Sequence, residues 1–197
     1  MIYLRKFLRV IVNIIFALFY KVEVVNNRNV PEKGAALLCA NHISEFDMFF
    51  IGYGIRRWVH YIAKEELFKN PVFGWILRKL GAFPVKRGKG DIGAIRTALR
   101  LLDEGHIVGI FPEGTRTKDK NRKNIKIKPG VAMIAINSAV PVIPVALQGS
   151  FKPFSHVKVI YGEPFELNLD KNRKYTNEEL TEISRSIMDR VYSLMEE

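Results

Sequence analysis

Apolar positions along the chain gather into short runs, with stretches of helical period between them. Residues 22–26, 35–40, 58–62, 82–85, 107–111, 141–147 and 157–161 are such runs, bounded by polar or turn-forming residues, and they predict strands. Ile92, Ile95, Leu99 and Leu102 fall on one helical face, with Asp91 placed to cap the start of a helix and Gly105 its end. Thr176 and Glu179 have capping-box spacing ahead of Leu180, Ile183, Ile187, Val191 and Leu194, which predicts a last helix. Alternating strands and helices predict an α/β fold of packed layers with about seven strands. Ligands of open α/β sheets bind beyond the carboxyl ends of strands, so residues directly after each apolar run are the ones to inspect for chemistry.

The first twenty residues form a separate problem. The longest apolar stretch, residues 10–20, is interrupted by Asn13, whereas a spanning helix needs roughly 20 apolar residues. No small-residue cleavage site follows Tyr20, so a secretory signal is not expected. Arg5, Lys6, Arg9 and Asn13 fall within one arc of about 100°, and Phe16 and Tyr20 continue it with aromatic rings. The expectation is an interfacial amphipathic helix over residues 1–20, ahead of a single domain over residues 21–197. Arg5, Lys6, Arg9 and Lys21 would each add about 1 kcal/mol at an anionic surface. A helix packed on the core of the domain is the competing reading.

Composition narrows the function classes. With 197 residues, 48% hydrophobic and 26% charged, the chain has a globular domain's balance and excludes a disordered or collagen-like one. Thirty-one Lys and Arg against twenty Asp and Glu leave +11, which calls for an acidic partner: a phosphate ester, a membrane surface or a nucleic acid. Residues 116–128 hold seven bases and one acid. From Glu163 onward nine acids face five bases, so the binding surface is expected upstream. The lone cysteine, Cys39, removes any disulfide framework and fits a reducing compartment, and its place inside an apolar run makes it a core side chain. The histidines at 42, 60, 106 and 156 lack metal-ligand spacing, so no metal is implied.

Two strand ends carry candidate chemistry. After the second run comes Asn41-His42-Ile43-Ser44-Glu45-Phe46-Asp47. On a continuous helix His42 and Asp47 would stand about 140° apart, so they meet only if a turn intervenes. Ser44 with Asp47 three later is a capping pattern that puts His42 in the loop and Asp47 in the first helical turn. Asp47 is then either a capping acid or the carboxylate that orients His42 and leaves Nε2 as a base. Ser44 is more naturally a cap than a nucleophile, so no covalent intermediate is expected. After the fifth run comes Pro112-Glu113-Gly114-Thr115-Arg116, a turn with backbone donors, a hydroxyl and a guanidinium suited to gripping phosphate. Lys64, Arg87 and Lys128 flank apolar runs and are candidates for the same anion, while residues 88–90 read as a turn, since they lack the length of a phosphate-binding loop.

Together these segments resemble the glycerolipid acyltransferase family. Asn41-His42 through Asp47 is similar to its His-x4-Asp motif, and Phe111 through Arg116 to its second hallmark. The stretches 81–87 and 140–149 resemble two further blocks, although Pro84 and Lys86 depart from the residue types usual there. The resemblance implies a mixed, largely parallel sheet of about seven strands flanked by helices, of the glycerol-3-phosphate acyltransferase type. It implies transfer of a fatty acyl group from acyl-CoA or acyl carrier protein to the sn-2 hydroxyl of a 1-acylglycerol 3-phosphate, giving phosphatidic acid, with no other cofactor. His42 and Asp47 would be catalytic. Gly114, Thr115 and Arg116 would hold the acceptor's phosphate, Arg87 and Lys64 would add charge, and Glu113 would orient Arg116 or the glycerol. Such an enzyme would work at the cytoplasmic face of the membrane as a peripheral or monotopic protein, without nucleic acid. Another acceptor, such as glycerol 3-phosphate or a lyso-aminolipid, or a non-catalytic module that binds anionic lipid or nucleic acid, are the alternatives.

Overall fold

The computed structural model describes residues 2–86, 91–117, 124–150 and 152–196. Arg87, the expected turn at 88–90 and residues 118–123 of the basic segment lie outside the described residues. Every predicted run is a strand: β1 (Tyr20–Val25), β2 (Ala36–Ala40), β3 (Val59–Lys64), β4 (Phe83–Val85), β5 (Ile107–Ile110), β6 (Val142–Gly149) and β7 (Ser155–Tyr161). They form one sheet in the order β1-β7-β6-β2-β5-β3-β4, parallel throughout except for the β6–β7 pair. All of β2 and β5 is buried, because helices cover both faces, and this is why their sequences are unbroken apolar runs.

Among the described residues six α-helices surround the sheet: α1 (Ile2–Phe19), α2 (Asp47–Tyr53), α3 (Pro71–Lys79), α4 (Ile92–Asp103), α5 (Gly130–Ser138) and α6 (Asn177–Ser193). Parallel strands are joined by right-handed crossovers, so the direction of travel along the sheet decides which face each helix covers. The path β2-α2-β3-α3-β4 runs toward the β4 edge, and the path β4-α4-β5-α5-β6 runs back. One apolar core accordingly contains Phe16 of α1 with Phe50 and Ile51 of α2. The other contains Ala98 of α4, Ile134 of α5, and Ile187 and Met188 of α6, and Cys39 is buried within it. The predicted caps are in place. Asp91 accepts from the Ala94 amide at 3.1 Å, Gly105 takes φ +80°, and Thr176 and Glu179 form both halves of a capping box.

The N-terminal helix departs from expectation in its orientation. The arc that carries Arg5 and Arg9 faces the domain: Arg5 Nε donates to the Lys79 carbonyl at 3.3 Å, and the Arg9 guanidinium donates to the carbonyls of Arg56 and Arg57. Both cations lie over the Trp58 ring, and Phe16, on the same arc, is 5% exposed. Backbone carbonyls in the bend before β3 and at the end of α3 take these cations, so only Lys6 and Lys21 of the four remain exposed for a surface. The opposite, apolar arc faces outward, with Tyr3, Phe7, Val10, Ile14 and Leu18 all exposed. Among the described residues no helix is long and apolar enough to cross a membrane.

Candidate active site

Neighbouring central strands β2 and β5 end side by side, and the two motifs that follow them meet there. Asn41 anchors the first. Its side chain donates to the Leu147 carbonyl at 3.0 Å and accepts from the Leu147 amide at 2.8 Å, fixing the loop onto β6. His42 follows, and its Nδ1 lies 2.7 Å from Asp47 Oδ2. Asp47 is fully buried, and the same oxygen accepts from the amides of Ile43 at 2.7 Å and Ser44 at 2.9 Å. An oxygen that already accepts from two amides acts as acceptor toward the ring as well, so in this pair Nδ1–H donates to Asp47.

Asp47 is the first residue of α2, as the spacing predicts, but Ser44 is no cap. Its hydroxyl accepts from the Phe46 amide at 3.2 Å, a local turn, while the Asp47 carboxylate gathers the loop amides. The imidazole stacks on Phe111 with ring centres 4.2 Å apart, and its side chain is 15% exposed, so it reaches solvent along one edge.

Glu113 lies elsewhere than its predicted partnership with Arg116 requires. It is 2% exposed, its Oε2 accepts from the His42 amide at 3.2 Å, and its Oε1 accepts from the Tyr192 hydroxyl at 2.9 Å. Burial pushes its carboxyl up to about 7, against the two donated hydrogen bonds, and the nearby Asp47 charge adds to the rise. Glu113 therefore ties the second motif to the backbone of the first. A return bond, from the Thr117 amide to the His42 carbonyl at 2.9 Å, completes the tie.

Gly114 adopts φ +66° and donates its amide to the Phe111 carbonyl at 2.9 Å, so that N–H closes the turn. Thr115 and Arg116 are exposed and line an open cleft of about 370 Å³, together with Thr117, Asn124, Lys126 and Lys128. Arg116 Nη1 lies 2.5 Å from Glu45 Oε1, an acid inside the first motif. Lys64, at the end of β3, lies 3.7 Å from Glu66. The structure thus brings His42, Asp47, Glu113, Gly114, Thr115 and Arg116 together, with Lys64 engaged beside the β3–β4 edge. Asn41, Phe111, Glu45 and Tyr192 are site residues that the motif reading gave no role. Glu45 lies between the two motif positions and was open to inspection, whereas Tyr192 sits 79 positions from its partner with no signal in spacing.

Among the described residues no group of three His, Cys, Asp or Glu side chains is disposed to hold a metal ion. The arrangement offers an imidazole oriented by a buried carboxylate, on a loop tied through its backbone to a basic cleft, a set of groups suited to moving a proton beside an anion.

Comparison with known proteins gives the family. The model of the family described as Acyltransferase matches residues 21–148, from β1 to β6 and through both motifs. The chain is similar to a 1-acyl-sn-glycerol-3-phosphate acyltransferase of Bacillus subtilis, 34% identical over 96% of this chain and 96% of that protein. It is also similar to a chloroplastic 1-acyl-sn-glycerol-3-phosphate acyltransferase of Arabidopsis thaliana, 30% identical over 68% of this chain but 38% of that one. Among solved structures, the 1-acyl-sn-glycerophosphate acyltransferase PlsC of Thermotoga maritima superposes with a TM-score of 0.66 at 28% identity, covering 94% of this chain and 79% of that one. With the family model matching residues 21–148 and similarity running along 96% of both this chain and its Bacillus subtilis relative, the chain belongs to the acyltransferase family and is an acyl-transferring enzyme.

Proposed function

We propose that this acyltransferase esterifies the free sn-2 hydroxyl of a 1-acylglycerol 3-phosphate with a fatty acyl group from acyl-CoA or acyl carrier protein, forming phosphatidic acid. The observation that carries the reading is the 2.7 Å contact between His42 Nδ1 and a fully buried Asp47, on a loop whose backbone bonds Glu113 and Thr117 of the basic cleft that Arg116, Lys126 and Lys128 also line. His42 Nε2 takes the proton of the acceptor hydroxyl as its oxygen bonds to the thioester carbon. The carbon–sulfur bond then breaks, and the thiolate leaves with a proton returned from the imidazolium. No side chain becomes acylated: Cys39 is buried with its thiol pushed well above the usual range, and the Ser44 hydroxyl is held in a backbone turn. Thr115 and Arg116 hold the acceptor phosphate, with Gly114 shaping their turn and Lys64 and Arg87 adding charge. The names of relatives similar to this chain support this acceptor.

The apolar outward arc of α1 supports work at a membrane surface, where a lysophospholipid presents its headgroup. We place that surface at the cytoplasmic face, where acyl thioesters are made. The test is an acyl-transfer assay on the purified chain that crosses both donors with 1-acylglycerol 3-phosphate, glycerol 3-phosphate and a lyso-aminolipid. Only the first acceptor should turn over efficiently. Replacing His42→Ala should cut the rate about 10²- to 10⁴-fold while acceptor binding persists. Efficient use of glycerol 3-phosphate, or an acyl adduct trapped on the protein during turnover, would refute the scheme.

A further inference from the structure

Large apolar side chains left exposed are divided unequally between the two faces of the sheet. Among the described residues α1 exposes eight of them and α3 exposes Val72, Phe73, Trp75 and Ile76, while Phe46, Phe49 and Leu67 lie in or just before α2 and α3. Phe154 packs its ring on Phe19 of α1, which leaves Ile92 and Leu169 as the exposed large apolar side chains outside this layer. An apolar patch on this scale marks a contact surface.

The helix α3 is the informative part, because its orientation is enforced. Its buried residue is Gly74, whose missing side chain lets the helix press onto the Phe68 backbone; a Cβ there would sit 2.8 Å from the Phe68 carbonyl oxygen. With the inner face taken by a glycine, Val72 at 68% and Trp75 at 55% exposure are turned away from the domain. Neither α1 nor α3 contains an acidic residue. Arg78 and Lys79 close α3, and the Lys79 ammonium lies 5.5 Å from the Trp75 ring centre, a cation beside an exposed indole. Two contacts lock the helices together. Arg5 of α1 donates to the carbonyl of Lys79, and Trp58, beneath that guanidinium, donates its indole N–H to the Leu80 carbonyl at 2.7 Å.

We propose that α3 is a second bilayer contact, so that the protein rests on an anionic membrane by the α1–α3 layer as one rigid surface, an inference that builds on the reading of the acceptor as a membrane lipid. A bilayer fits this surface better than a second copy of the chain, because two-fold pairing through α3 would bring Arg78 and Lys79 of both copies together with no acid on the helix to receive them. Two footings fix the tilt of the domain where α1 alone would leave it free to roll. Phe46 and Phe49, exposed where the His42 loop enters α2, then meet the lipid near the site.

The test uses the full-length protein and phosphatidylglycerol vesicles with brominated acyl chains, which quench indoles that enter the apolar layer. Trp58 and Trp75 are the two tryptophans, and quenching should largely vanish in Trp75→Phe. The double variant Trp75→Asp, Ile76→Asp should bind these vesicles about tenfold or more weakly, while its turnover of a short-chain, water-soluble acceptor is unchanged. Equal quenching in wild type and Trp75→Phe, or undiminished vesicle binding by the double variant, would overturn the proposal. So would conversion of a dimer to a monomer in the double variant with vesicle binding retained, which would give this face to a second copy. Quenching of Trp75 in a protein that acylates no lipid acceptor would leave this surface standing and remove the proposed function instead.

Discussion

Tyr192, on the last helix, donates its hydroxyl proton to Glu113 at 2.9 Å, and the other oxygen of that carboxylate receives the backbone amide of His42. The base is thus located through its main chain as well as through Asp47. In Tyr192→Phe, Glu113 keeps one donor and loses the other, which should cost about 1–3 kcal/mol of stability. If the tie holds the imidazole in register, kcat should fall by on the order of tenfold with KM for the acceptor little changed. A stability loss with kcat intact, measured by denaturation alongside steady-state kinetics, would make Tyr192 a packing residue only.

Two buried groups predict opposite pH effects on stability. Glu113 titrates near 7 in the folded protein against an ordinary value of 4.5, so its favourable contribution is complete below 4.5 and is lost as pH rises to 7. Glu113→Gln should remove that decline, on the order of 3 kcal/mol. His60 runs the other way: burial, with Arg5 and His106 nearby, lowers it from 6.5 to about 4. The unfolded chain binds that proton first, so stability falls as pH drops from 6.5 toward 4. His60→Gln, which keeps a donor for the Gly81 carbonyl, should flatten this acid limb in urea titrations across the same window.

The pair formed by Arg116 and Glu45 occupies the guanidinium that the proposed phosphate needs. Both side chains are more than half exposed, and such pairs add little to stability. Acceptor binding must displace Glu45, so Glu45→Gln should lower KM for the phosphorylated acceptor by up to about fivefold and leave the unfolding midpoint unmoved. An unchanged or raised KM would place the phosphate away from Arg116.

Behind the site, the Tyr61 hydroxyl is buried and has no hydrogen-bond partner among the described residues. Its ring has Phe111, the support of His42, as a parallel neighbour 6.1 Å away, and it fills the space over Gly109, where a Cβ would stand 2.4 Å from the ring. Tyr61→Phe keeps the ring and removes the orphaned group, so stability should hold or rise by up to about 1 kcal/mol. Gly109→Ala should instead push the ring against Phe111 and lower both stability and kcat. Thermal unfolding and kinetics of the two variants separate hydroxyl from ring.

Much of the protein follows from local chemistry. Seven apolar runs became seven strands: the central β2 and β5, buried on both faces, admit no polar residue, while β1 at the edge alternates, and the caps at Asp91 and Thr176 work through neighbours three positions away. The meeting of His42 with Asp47 was also legible, since five residues and one turn span it. Tertiary structure alone decided the partners of Glu113, because an acid in a turn next to Arg116 looks solvent-facing until α6 packs over it and supplies Tyr192. It also decided the orientation of α1. Periodicity defines a polar arc and an apolar arc but cannot say which one meets the domain, and here free carbonyls at Arg56, Arg57 and Lys79 draw the arginines inward and leave the apolar side chains facing out.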